Sequence, residues 1–189
     1  MSRAAVLTKR IPLAHNALLS QALWVVLFAG ATAVGARFEI PHQPVPYTLQ
    51  TFFVLLAGAF LGARNGALSQ LLYLAIGALG APVFALGGFG VMKLIGPTGG
   101  YLLAFPFAAA LVGSLTQRFR SFGGVWLSML AGLLLIFASG TFHLYAFFMH
   151  DLFAAVGSGF LLFSWWDLLK LTAAAAIYYE VVKRLSVGR

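Results

Sequence analysis

Polar positions are so sparse along this chain that long apolar runs, rather than a repeating polar face, set its elements. The runs cover residues 18–36, 51–63, 66–79, 100–115, 125–148 and 168–185. A helix that crosses a bilayer needs about 20 apolar residues, with a range of about 17–25. The second and third runs are short and separated only by Arg64-Asn65. A single re-entrant hairpin competes there with two short crossings, and two crossings give the topology that closes. The pattern predicts an all-α integral membrane protein with six transmembrane helices. Residues 1–189 form one membrane domain, with 1–16 as a cytoplasmic amino-terminal segment and 17–185 as the six-helix bundle.

Charge placement orients that bundle. With the amino terminus inside, Arg3, Lys9, Arg10, Arg64, Arg118, Arg120, Lys183, Arg184 and Arg189 fall on inner segments. Lys93 falls outside, Arg37 at a boundary and Lys170 just within the last helix. Cytoplasmic loops carry the excess of Lys and Arg, so both termini are placed in the cytoplasm. Lys9-Arg10 and Val34-Gly35-Ala36 resemble the two ends of a signal peptide. The run between them exceeds the about 7–15 residues of a signal core, and its removal would spoil the charge asymmetry.

Composition agrees with the membrane class: 61% of residues are hydrophobic and 8% charged, against about 25% charged in soluble domains. The net charge of +8 comes from cations flanking apolar runs rather than clustered on a polar face, which argues against nucleic acid. The absence of cysteine removes disulfides and thiolate chemistry. His15, His42, His143 and His150 are scattered, with no pair at the i, i+4 spacing of a helical metal site. The Gly96-Pro97-Thr98-Gly99-Gly100 run lacks the Gly-Lys-Ser/Thr ending of a P-loop. No enzyme, metal or cofactor is expected, and ATP-driven transport would require partner chains.

The remaining chemistry gathers on the outer side. Residues 41–50 lead into the second run, 82–99 into the fourth and 164–167, Ser-Trp-Trp-Asp, into the sixth. Each leads into a helix amino terminus, where free N–H groups and the helix dipole favour anions. Glycine density over residues 87–101 predicts irregular backbone lining a cavity. Asp167 and Lys170 share a helical face at i, i+3 and can pair. A capping Asp with a snorkelling Lys is the alternative. Tyr47, Phe84, Tyr101, Trp165 and Trp166 map to the outer interface, where aromatic belts are normal. Tyr101 is the strongest pocket candidate among them, because Gly99 and Gly100 leave room beside it. Ala29 and Ala33 lie at small-xxx-small spacing, as do Gly58, Gly62 and Gly66, which marks close helix packing.

Several segments together resemble a known family: Val45-Pro46-Tyr47-Thr48-Leu49-Gln50-Thr51-Phe52, Leu61-Gly62-Ala63-Arg64-Asn65-Gly66-Ala67-Leu68-Ser69, Pro82-Val83-Phe84-Ala85 and Gly96-Pro97-Thr98-Gly99-Gly100-Tyr101-Leu102. With Asp167-xx-Lys170, they are similar to BioY, the biotin-specific substrate-binding (S) component of energy-coupling factor transporters. The resemblance implies a multi-pass S-component bundle in the bacterial inner (plasma) membrane that captures biotin at the outer face. It implies ligand contacts from Asp167, Lys170, Tyr101, Thr98, Gly99, Phe84, Tyr47 and Gln50. It also implies a transmembrane coupling subunit docking on helix 1 at Ala29 and Ala33, with ATP bound only by cytoplasmic ATPase subunits. A self-sufficient secondary transporter for a small anionic vitamin is the alternative function.

Overall fold

The computed structural model describes residues 18–160 and 165–187. Arg3, Lys9, Arg10, His15, Ser164 and Arg189 lie outside the described residues, as does the predicted 1–16 segment. Helix α1 is Leu18–Arg37, and a strap follows it in which β1 (Glu39–Ile40) pairs antiparallel with β2 (Tyr47–Thr48). Then come α2 (Gln50–Ala78), a 3-10 turn (Ala85–Gly87), α3 (Val91–Ile95), α4 (Gly99–Arg118) and α5 (Phe122–Leu144). Helix α5 widens into a π turn over Tyr145–Met149, and α6 (Leu152–Ala155) does the same over Val156–Phe160. The chain ends in α7 (Trp165–Val187).

Helices dominate because a bilayer offers the backbone no hydrogen bonds, so each segment must satisfy its own. Large apolar side chains such as Leu23, Leu27, Phe107 and Leu127 point outward, as lipid contact requires. Among the described residues, four helices are long and apolar enough by length and composition to cross a membrane, counting Gln50–Ala78 as one, or five if the bent pair Leu152–Phe160 with Trp165–Leu185 is a single span. The chain is a multi-pass membrane protein.

Helix α2 is two helices in one. Gly62 takes φ 78 and ψ 177, a backbone conformation that side chains with a Cβ rarely adopt. The chain folds back there, and arms 50–61 and 63–78 pack against each other. A Cβ added at Gly66 would sit 2.9 Å from the Cα of Gly58. One at Gly58 would collide with the Ala109 carbonyl of α4. The small-residue spacing at 58 and 66 therefore marks a three-way backbone approach, driven by packing because lipid competes for apolar contact. Helices α2, α4 and α5 form the core, with α1 laid against α2 and α7 against α2 and α5.

Helix α1 differs from expectation. Ala29 is 3% exposed and belongs to the bundle core, and Ala33 packs partly against it. Ala29, Thr32 and Ala36 form the inward stripe, where Thr32 Oγ1 lies 3.3 Å from Gln70 Oε1 of α2. Ala29 therefore packs into the bundle rather than presenting a free surface, and Ala33 is half-buried beside the core. Gly30 faces outward, with nothing within 4 Å of a Cβ placed there.

The glycine-rich 87–101 stretch also departs from an irregular course. Helix α3 occupies its middle, and α4 begins at Gly99. Gly90, at φ 80, turns the chain into α3 and donates its N–H to Gly77 O at 2.7 Å. Five apolar-rich residues suffice for one helical turn once that anchor is in place.

Candidate functional site

The first turns of α2, α4 and α7 converge on one cavity. It is framed by Val45, Pro46, Tyr47 and Thr48 of the strap, and by Gln50 and Thr51 of α2. Phe84, Ala85 and Lys93 come from the following segment; Thr98, Tyr101, Leu102 and Phe105 from α4; Ile136 and Phe137 from α5; Asp167 and Lys170 from α7. The wall is largely apolar and aromatic, with few charged groups.

Lys170 organises the amino-terminal end of α7. Its ammonium lies 2.7 Å from Asp167 Oδ1, 2.8 Å from the Thr48 carbonyl and 3.1 Å from Thr51 Oγ1. Both members of the pair are buried, Asp167 to 2% exposure and Lys170 to 6%. A snorkelling Lys beside a solvated cap is therefore not what the fold builds. An ammonium has three N–H donors, and three acceptors already surround this one. Lys170 is in the wall, but its hydrogen bonds are committed to the protein.

Gln50 is similarly engaged. Its Nε2 donates to Tyr73 Oη at 2.5 Å, its Oε1 accepts from Thr48 Oγ1 at 2.9 Å, and Tyr73 Oη donates to Val83 O at 3.2 Å. This buried chain ties the strap, both arms of α2 and the 81–84 segment together. Phe84, fully buried, meets Tyr73 edge-on at 5.4 Å and fills the space that a Cβ on Gly77 would need. Tyr101 stands edge-on to Phe137 at 6.0 Å. Tyr47 stacks its edge on His42 at 5.4 Å.

Of the residues expected from sequence, Tyr47, Gln50, Phe84, Thr98, Tyr101, Asp167 and Lys170 meet at the cavity. Gly99 does not line it. A Cβ on Gly99 would strike the Leu94 carbonyl, and one on Gly100 would strike His143. Those glycines admit α3 and α5, not a ligand. His143 Nε2 donates toward Gly96 O at 3.1 Å and holds the same junction. Trp165 is 74% exposed, as a belt residue should be. Sequence reading missed Phe105 and Phe137 and left Lys93 open; all three line the cavity. Phe105 was legible, since Thr98, Tyr101, Leu102 and Phe105 repeat at i, i+3, i+4, i+7. Phe137 and Lys93 carried no local signal.

The sequence model of the BioY family matches residues 7–187. The chain belongs to the BioY family. A BioY relative from Thermotoga maritima, a biotin transporter, is 44% identical over 163 residues, covering 86% of this chain and 95% of that protein. A probable biotin transporter BioY from Pyrococcus horikoshii is 47% identical over 116 residues, covering 61% of this chain and 68% of that one. A similar fold is seen in a crystal structure of the S-component for biotin from an ECF-type ABC transporter. It superimposes with a TM-score of 0.81 at 24% identity, covering 87% of this chain and 92% of that one.

Proposed function

We propose that this BioY-family chain is a membrane-embedded biotin-binding subunit that captures biotin at the outer face for uptake. The observation that carries the reading is a largely apolar cavity holding a buried carboxylate and a further lysine outside that carboxylate's ion pair. Biotin combines an apolar thioether ring with a neutral ureido group and a carboxylate tail. Phe84, Tyr101, Phe105 and Phe137 suit the ring, and Asp167 accepts from the ureido N–H groups. Lys93, rather than the committed Lys170, serves the carboxylate. Tyr47, Thr98 and Gln50 complete the wall, Gln50 chiefly by holding it in shape.

The two arms of α2 count as separate crossings in this reading, which gives six crossings and places both termini in the cytoplasm of the bacterial inner membrane. At about 1.5 Å per residue the arms are short, which a locally thinned bilayer accommodates. Uptake draws on a transmembrane coupling subunit and cytoplasmic ATPase subunits, which bind the ATP; this chain takes no cofactor of its own. The outward face of α1 around Gly30 is the docking surface. Isothermal titration of the purified chain decides the ligand. Saturable heat with biotin is expected, and no heat with biotin beside a clear signal from another vitamin overturns the assignment.

A further inference from the structure

Two segments frame the cavity on the outer side: residues 38–49, between α1 and α2, and residues 79–90, between α2 and α3. Two charged side chains at the carboxyl end of α1 join them. The Arg37 guanidinium donates to the Pro82 carbonyl, and the Glu39 carboxylate accepts the Leu86 backbone N–H at 2.6 Å. Hydrogen bonds with an ionised partner are roughly twice as strong as neutral ones. Neither Arg37 nor Glu39 lines the cavity.

Leu86 sits at φ 58, a left-handed conformation rare for an apolar residue with a branched side chain. Its side chain is 56% exposed, so packing does not hold it there. Such outliers persist only where the surroundings over-determine them, and Glu39 supplies that restraint. The adjoining Phe84 and Ala85 are in the cavity wall.

We infer that Arg37 and Glu39 are positioning residues, clasping residues 82–86 to the strap and setting how fast a ligand crosses the cavity mouth. Because neither side chain reaches the cavity, the clasp stabilises the closed segment equally with and without ligand. Weakening it lowers the barrier in both directions and leaves the affinity nearly constant.

The ligand in this inference rests on the biotin reading, so one arm of the test needs no ligand. The chain has no cysteine, and Ala85→Cys places a single thiol in the cavity wall. Its modification by a membrane-impermeant maleimide reports opening. Adding Glu39→Ala or Arg37→Met is expected to accelerate modification about tenfold, the rate equivalent of losing one charge-assisted bond. Arg37→Lys, which keeps a donor for Pro82, restores slow modification. In the cysteine-free chain, the same substitutions raise the biotin association and dissociation rate constants by a common factor.

Unchanged modification and binding rates overturn the clasp. A rise confined to dissociation overturns it too, because that is the signature of a ligand contact. Accelerated modification in a chain that binds no biotin removes the biotin reading and leaves the clasp standing. Glu39→Gln, which retains an acceptor oxygen, is the second variant if Glu39→Ala yields no folded protein, with an intermediate acceleration expected.

Discussion

The Lys170 ammonium lies 2.7 Å from Asp167 Oδ1, one turn earlier on α7, and both side chains are almost fully buried. Burying a charge is costly unless it is paired and hydrogen-bonded. The Thr48 carbonyl and Thr51 hydroxyl complete that condition for Lys170. The pair thereby fastens the last helix to the strap and to the first turn of α2. It shapes the wall as well as charging it.

Replacing Lys170 by Met leaves the Asp167 carboxylate buried without its cation. Removal of one member of a buried pair costs about 3–5 kcal/mol, and thermal unfolding should register that loss. The double variant Asp167→Leu/Lys170→Met is expected to recover much of the stability while failing to bind biotin. Equal stability of the Lys170→Met chain and its parent contradicts this account.

Lys93 is partly buried at the cavity. If it meets the biotin carboxylate, Lys93→Met weakens biotin binding by about 1–2 kcal/mol, as for a partly solvated charge-assisted bond. Biotinamide, which lacks the charge, should bind the parent and the variant alike. Titrations with both ligands separate this outcome from a general loss of the pocket; an equal loss for both ligands counts against the carboxylate contact.

On α1 the two small residues are expected to behave differently. Gly30→Leu adds bulk where nothing lies within 4 Å, so folding and biotin binding should persist while co-purification with the coupling subunit fails. Ala29→Leu overpacks the core, at a cost of about 1–3 kcal/mol, and lowers the unfolding temperature. Normal assembly of the Gly30→Leu chain would show that docking uses another face.

The α2 hairpin depends on its glycines. Gly66→Leu drives a side chain into the backbone of Gly58, and the opposing atoms are not the flexible end of a side chain. The arms must separate, which displaces Gln50 from Tyr73 and opens the cavity wall. A fall in unfolding temperature together with lost biotin binding is expected. Retention of both properties would mean that the arms are not in backbone contact.

Much of the site was legible because its signals are local. The i, i+3 spacing places Asp167 and Lys170 on one face, and apolar run lengths with flanking cations indicate which ends share a side. The motifs around Tyr47, Phe84 and Thr98 fall on those ends, and they line one cavity. The commitments of Lys170 were not legible, since its further partners lie 119 and 122 positions away. Gly99 misled for a related reason: a missing side chain admits whatever approaches, and here that is the Leu94 carbonyl.

By itself the sequence determined that the chain is a helical membrane protein, where its apolar runs lie, and that its few polar groups gather at three helix starts. Tertiary structure alone decided which small residues face the bundle and which face outward, as Ala29 and Gly30 show. In a soluble helix the polar face would have settled that question. Here both faces are apolar, because lipid and protein interior are alike in hydrophobicity, and only the approach of neighbouring backbones distinguishes them.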